Sequence, residues 1–141
     1  PILHLPFLVA FSLNFCLASH QILLQNKEVQ LDSEKTHSAI LGDPKCTIDP
    51  YLDKVGYIGD HHWQCRAIIS EWLESGDLQD AFRHQNPDLR SYTWRQDVKS
   101  SEAGRLDYIL LSPGLISMMT ECYHTHQPRS LTDHSSVTSK S

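Results

Sequence analysis

The sequence lacks the cysteine pairs that would mark a zinc site or a disulfide framework. Its four cysteines are Cys16, Cys46, Cys65 and Cys122, and no two of them form a C-x-x-C motif. We therefore expect free thiols in a reducing compartment. The sequence also has no glycine-rich phosphate loop, no internal repeat and no heptad run, which argues against a P-loop nucleotide hydrolase, a solenoid and a coiled coil.

A basic excess is missing as well. The 141 residues include 12 Lys and Arg against 17 Asp and Glu, and the formal net charge is −5. Tight, sequence-independent binding of nucleic acid needs a broad basic surface, so any contact with DNA must be local. A metal-dependent nuclease is still compatible with this charge because such sites are themselves acidic. An apolar share of 40% in a chain of this length indicates one globular domain at most.

Residues 1–24 are mostly apolar but lack the charged leader of a secretory signal. The sequence opens on Pro1 rather than Met, so we expect this not to be the natural start. As a membrane span the stretch is borderline in length and is weakened by Pro6 and Asn14. We interpret it as a buried strand followed by a buried helix. A signal or an anchor is the open alternative.

From residue 39 onward the apolar pattern predicts a mixture of strands and helices. The run 39–41 predicts a strand that ends at a Gly-Asp-Pro turn, and the apolar spacing from Trp63 predicts a helix that ends at Gly76. The other predicted elements are a short element at 78–83, strands at 92–94 and 105–111, a strand or short helix at 115–123, and a fraying Ser/Thr-rich tail at 135–141.

The segment 105–111 places a carboxylate on an apolar strand. Its alternation puts Asp107 on the same face as Ile109 and Leu111. Burying a charge costs several kcal/mol unless a partner compensates it, so Asp107 needs a cationic or hydrogen-bonding neighbour. His134 is the natural candidate. A carboxylate that fixes an imidazole, with Asp133 beside it, is a recurrent way to build a hydrolytic or metal-assisted site.

The ordered motifs of the chain resemble those of a known superfamily. In sequence order they are Gly42-Asp43, Leu78-x-Asp80-x-Phe82-Arg83, Asn86-Pro87, Tyr92-Thr93-Trp94, Arg105-Leu106-Asp107-Tyr108 and Thr132-Asp133-His134. This succession resembles the carboxyl-terminal half of the endonuclease/exonuclease/phosphatase superfamily, which includes exonuclease III. It is most similar to the endonuclease domain of non-LTR retrotransposons. The resemblance covers about residues 39–137, which leaves 1–38 as an uncertain, degenerate segment and 138–141 as a tail.

The resemblance implies a partial two-sheet α/β (α+β) sandwich that cleaves a phosphodiester bond of DNA with Mg²⁺ or Mn²⁺. His134 would act on the scissile phosphate as base or charge stabiliser, Asp107 would orient His134, and Asp43 would activate the attacking water. Asp133 would help to hold the metal, and Lys45 and Arg105 would contact phosphate. The resemblance further implies DNA as the partner, no small-molecule cofactor and an intracellular location in nucleus or cytoplasm, with membrane binding or secretion less expected.

Two departures from the superfamily pattern bear on activity. The turn that reads Gly-Asp-apolar-Asn in the family is Gly42-Asp43-Pro44-Lys45 here, so an ammonium replaces an amide. No segment before residue 39 matches the strand that carries the metal-binding Glu; Glu28 and Glu34 lie in a polar run. We therefore expect a fragment with very low or no activity. The alternative is a catalytically dead remnant that serves, if at all, as a small binding module.

Overall fold

A four-stranded sheet lies at the centre of the structure. The computed structural model describes residues 9–10, 37–56, 63–75, 77–97, 101–128 and 130–141. The sheet contains β1 (Val9–Ala10), β2 (Ala39–Gly42), β4 (Gln79–Asp80) and β7 (Tyr108–Leu111), in the order β1-β2-β7-β4. The predicted strand and helix in residues 1–24 lie outside the described residues, apart from the two residues of β1.

The pairing of β2 with β7 sets the geometry of the sheet. The two strands are antiparallel, with Ala39 opposite Leu111 and Gly42 opposite Tyr108. β4 pairs antiparallel with the other edge of β7, and β1 pairs parallel with β2. The carboxyl end of β2 and the amino end of β7 therefore lie side by side.

Two smaller sheets complete the strand content that the structure describes. β3 (Lys54–Val55), β6 (Ala103–Gly104) and β5 (Trp94–Arg95) form an antiparallel sheet in the order β3-β6-β5. β8 (Glu121–Thr125) pairs antiparallel with β9 (Ser136–Lys140) along all five residues. The prediction of a fraying tail is therefore wrong, because residues 136–140 form a strand that pairs with β8.

Three helices lie among the described residues. α1 (Trp63–Ser75) covers the predicted helix, α2 is Ala81–Gln85 and α3 is Pro113–Met118. Asp80 caps α2, because its Oδ1 accepts the backbone N–H of Arg83 at 3.1 Å. The ambiguous segment 115–123 divides between α3 and β8. Within the described ranges, none of the helices has the length and apolar character that crossing a membrane requires.

β7 is buried on both faces. Ile109 and Leu111 belong to one apolar cluster, with Ala39, Ala81, Phe82, Ile116 and Cys122. Tyr108 and Leu110 belong to a second cluster, with Cys46, Ile69 and Leu78. The alternation predicted for this segment is confirmed, although the strand begins at Tyr108 and leaves Asp107 just before it.

A buried ion network joins the central sheet to the β3-β6-β5 sheet. The Arg105 side chain is 1% exposed and donates to both carboxylate oxygens of Asp53, at 2.8 and 3.0 Å, and to both of Asp80, at 3.0 and 2.5 Å. Arg83 donates to the same Asp53 at 2.6 Å. Burial opposes the charge of Asp53, but the hydrogen bonds and charge of Arg105 hold the pKa of Asp53 below its ordinary value.

Candidate active site

The register of β2 against β7 brings two aspartates together. Asp43 directly follows the last residue of β2, and Asp107 directly precedes the first residue of β7. Because Gly42 is opposite Tyr108 in an antiparallel pair, the residues just beyond them sit at the same end of the sheet. Both side chains are partly exposed there, at 18% for Asp43 and 25% for Asp107.

His134 reaches the same end of the sheet on a segment fixed by main-chain contacts. Ser135 N donates to Thr93 O at 2.6 Å, and Arg95 N donates to Asp133 O at 3.3 Å. These bonds attach the segment to β5, and His134 forms an isolated bridge with Trp94. His134 N also donates to its neighbour Thr132 Oγ1 at 3.0 Å. The position of the ring therefore depends on the backbone of β5.

The structure brings Asp107 and His134 into hydrogen-bond contact. His134 Nδ1 lies 2.9 Å from Asp107 Oδ2. An ionised carboxylate can only accept, so this contact favours the tautomer with the proton on Nδ1. Nε2 is then left facing Asp43, whose Oδ2 lies 3.9 Å away. The pair is suited to moving a proton at Nε2 or, once protonated, to stabilising negative charge.

Thr93 contacts the segments of both Asp107 and His134, a role that no sequence motif predicted. Its side-chain Oγ1 accepts the backbone N–H of Leu106 at 2.9 Å and that of Asp107 at 3.1 Å. Its carbonyl accepts the N–H of Ser135, next to His134. The residue is 1% exposed. A hydroxyl between two aromatic residues was the available signal, since a buried threonine needs hydrogen-bond partners.

Asp43 has its own partner in Lys45. The Lys45 backbone N–H donates to Asp43 Oδ1 at 2.8 Å, and its ammonium forms an ion pair with Asp43 Oδ2. Lys45 has a φ of 58°, in the left-handed region. This backbone bend folds the lysine back over the residue two positions earlier.

The remaining predicted site residues lie in different surroundings. Asp133 accepts a hydrogen bond from the indole Nε1 of Trp94 at 3.0 Å, and it lines a cleft of about 210 Å³ with Tyr92, Trp94 and His134. Its role as a metal ligand stays a prediction. Arg105 is enclosed between Asp53 and Asp80, where a DNA phosphate has no access. This placement argues against the phosphate contact predicted for Arg105 and makes the residue structural.

The three converging residues fit a hard divalent cation. Among the described residues, Asp43, Asp107 and His134 each offer one ligand atom, and these atoms lie within 4.8 Å of one another. Carboxylate oxygens are the ligands that Mg²⁺ and Mn²⁺ prefer, whereas imidazole suits softer transition metals. The fit therefore depends mainly on the two carboxylates, one of which is already paired with Lys45.

Solved structures define the fold to which this site belongs. The chain is similar to an AP endonuclease from Archaeoglobus fulgidus, with 23% identity and a TM-score of 0.69 over 85% of this chain. It is also similar to a variant of the 3′ phosphatase NExo from Neisseria solved with a product DNA hairpin, with 19% identity and a TM-score of 0.63 over 87% of the chain. The APE2 catalytic domain of Xenopus laevis matches 84% of the chain with 21% identity and a TM-score of 0.60.

These similarities identify the α/β fold of the endonuclease/exonuclease/phosphatase type, as the sequence predicted. The chain spans about half the length of the structures it matches: 51%, 50% and 42% of the three proteins. No protein-family model matches the sequence, and no curated protein matches it.

Proposed function

We propose that this chain carries part of a divalent-metal-dependent phosphodiesterase site that acts on DNA, of the retrotransposon endonuclease type. The contact of 2.9 Å between Asp107 and His134, with Asp43 next to it, is the observation that supports this proposal. Two carboxylates and an imidazole meet the needs of phosphodiester hydrolysis, which are a deprotonated water and stabilised charge on the phosphate oxygens.

Each residue has a chemical role in this proposal. Asp107 accepts from Nδ1 and keeps the His134 ring in one orientation. His134 presents Nε2 to the phosphate, as a base when neutral and as a charge stabiliser when protonated. Asp43 accepts a proton from the attacking water. Mg²⁺ or Mn²⁺ would be held mainly by the carboxylates of Asp43 and Asp107, with Asp133 proposed to help hold the metal or its water, and would supply positive charge for the nonbridging oxygens.

DNA is the proposed substrate, and an intracellular location in nucleus or cytoplasm is proposed with it. One of the similar structures was solved with a product DNA hairpin, which supports this choice of substrate. The cleft beside His134 contains the side chains of Tyr92 and Trp94, and aromatic faces can stack on nucleic-acid bases.

Plasmid nicking tests the proposal. We expect slow nicking of supercoiled plasmid in Mg²⁺ or Mn²⁺, because Lys45 is already paired with Asp43. His134→Ala should lower the rate by about 100-fold, the usual contribution of a general acid–base group. His84→Ala is the matched control, because His84 is an exposed histidine on α2. Nicking that survives His134→Ala at the control rate would contradict the proposed site.

The second candidate is a non-catalytic binding module. The ion pair between Lys45 and Asp43 favours it, because it takes up a carboxylate that the hydrolytic role needs. In this case the parent chain binds a labelled DNA duplex in a fluorescence anisotropy titration but nicks no plasmid with either metal. Activity that is lost on changing His134 would exclude this candidate.

A further inference from the structure

Lys45 places a positive charge next to the cluster formed by Asp43, Asp107 and His134. Its ammonium pairs with Asp43 Oδ2, the same oxygen that lies 3.9 Å from His134 Nε2. Its backbone N–H occupies the other oxygen, Oδ1, at 2.8 Å. Both oxygens of Asp43 therefore have a partner from the same residue. A metal ion that uses Asp43 has to displace the ammonium or share the carboxylate with it.

The backbone is bent to make this contact. Lys45 adopts a φ of 58°, where its Cβ is crowded and where glycine and asparagine are the residues commonly found. Strain of this kind persists only where the surrounding contacts determine it. The Lys45 side chain is 44% exposed, so burial does not force the ammonium towards Asp43. The left-handed conformation of Lys45 allows both its backbone N–H and its ammonium to contact the Asp43 carboxylate.

The charge balance follows from these contacts. With His134 neutral, Asp43 and Asp107 give the group a charge of about −2, and Lys45 reduces it to about −1. A divalent cation is attracted much more strongly to the group without the Lys45 ammonium than to the group with it. Lysine carries a compact, strongly localised charge and resembles a metal ion in this respect.

We propose that Lys45 is an internal cation that competes with a divalent metal ion for Asp43 and so sets the metal affinity of the site. The proposal rests on the proposed function only in assuming that this group takes a divalent cation. Asp43 is the point of competition, while the Asp107–His134 pair stays intact whether or not Lys45 is engaged.

Metal binding to the whole chain is the direct test. Mn²⁺ affinity is measured by isothermal titration calorimetry and by the loss of the free-ion electron paramagnetic resonance signal. Lys45→Asn removes the charge and suits the left-handed backbone, and we expect it to bind Mn²⁺ about tenfold more tightly than the parent. Lys45→Arg keeps a charge at this position and should show no gain.

Two controls isolate the contact from the change in net charge. Lys140→Gln removes another ion-paired lysine, 2.8 Å from Glu121 on the β8-β9 sheet, and should leave the affinity unchanged. In the Asp43→Asn background, Lys45→Asn should no longer tighten binding. Equal gains from Lys45→Asn and Lys140→Gln, or a gain that persists without Asp43, would overturn the proposal.

A measurement on the unsubstituted sequence covers the case in which a variant folds poorly. Lysines are dimethylated with ¹³C, which preserves their charge, and Mg²⁺ is added. The methyl signal of Lys45 should shift as Mg²⁺ binds, because its ammonium is released from Asp43, while that of Lys140 stays in place. A Lys45 signal that does not respond while Mg²⁺ binds contradicts the competition.

These results are separable from the test of the proposed function because no DNA is present. Tighter Mn²⁺ binding in Lys45→Asn without any nicking supports the internal cation and removes the phosphodiesterase proposal. Nicking that depends on His134 with an unchanged Mn²⁺ affinity in Lys45→Asn supports the enzyme and removes the internal cation.

Discussion

Thr93 lies between the two segments that carry Asp107 and His134. Its hydroxyl accepts the N–H groups of Leu106 and Asp107, and its carbonyl accepts that of Ser135. A single uncharged residue thus contacts both segments, through its hydroxyl on the side of Asp107 and through its backbone carbonyl on the side of His134. Removing this acceptor leaves one buried and one partly buried backbone N–H group without a partner, which costs the desolvation of each group.

Thr93→Val keeps the shape of the side chain and removes the hydroxyl. We expect it to lower the free energy of unfolding by about 1–3 kcal/mol, as for other buried groups left without a partner. Thr93→Ser keeps the oxygen and should lose less. Urea unfolding followed by tryptophan fluorescence measures both. If the two variants lose the same stability, the hydroxyl is not what fixes this segment.

At the residue scale, the sequence predicted the contact between Asp107 and His134 but not the surroundings of Arg105. A carboxylate on an apolar strand needs a partner, and few residues of suitable chemistry were available. For Arg105 the deciding fact is that Asp53 and Asp80 flank it in space. They lie 52 and 25 residues away in sequence, and no local pattern encodes such a distance.

At the scale of elements, β8 packs on α2 through a histidine. The His124 ring stacks on Phe82 with centroids 3.9 Å apart and an interplanar angle of 12°. Its Nδ1 is 2.7 Å from Ser91 Oγ, and its Nε2 is buried without a hydrogen-bond partner. Burial, together with the positive charge of Arg105, lowers the pKa of His124 to about 4. The folded chain therefore favours the neutral ring.

This pKa predicts how stability depends on pH. The unfolded histidine titrates near its ordinary pKa of 6.5, so between that pH and about 4 the unfolded chain binds the extra proton. The contribution of His124 is thus complete above pH 6.5 and is lost as the pH falls towards 4. Thermal unfolding at several pH values should show a smaller decline for His124→Phe, which keeps an aromatic ring on Phe82. His84→Phe, on an exposed position of α2, should keep the parent slope.

The sequence could not predict strand β9 or its pairing with β8. Residues 136–140 are rich in serine and threonine, a composition typical of a loose tail. In the structure Val137 packs against the cluster of Ile109 and Leu111, and five residue pairs join the two strands. Strand formation here depends on the neighbouring strand, a tertiary effect that overrides local preference.

At the scale of the whole molecule, the network of Arg105 connects parts of both larger sheets. Arg105 follows β6, Asp80 ends β4, and Asp53 precedes β3. Arg105 is further linked to Asp53 by a main-chain hydrogen bond of 2.7 Å. The two sheets are therefore linked by buried charges.

Arg105→Met removes the cation of this network and leaves the buried carboxylates with less compensation. Breaking a buried ion pair from one side costs about 3–5 kcal/mol, and we expect a loss of this size in urea unfolding. Lys140→Met removes a solvent-exposed ion pair and should shift the midpoint much less. Similar shifts in both variants would mean that burial does not strengthen the Arg105 network.

The ordered motifs of the sequence were sufficient to predict the fold class but not the arrangement of the strands in sheets. The α/β fold was predicted from the succession of Gly42-Asp43, Arg105-Leu106-Asp107-Tyr108 and Thr132-Asp133-His134, and the similar structures confirm that fold. The division of the described strands into three sheets was not predicted, because several of these strands contain only two residues and carry no measurable periodicity.

The alignment of Gly42 with Tyr108 also limits how such a sequence can vary. A residue inserted within either four-residue strand would turn every following side chain to the opposite face. The apolar residues of β7 would exchange between the two clusters on its opposite faces, and the carboxylates of Asp43 and Asp107 would move apart. Loops between them can lengthen at little cost, so natural variants should differ in loop length while these two short strands keep an unchanging residue count.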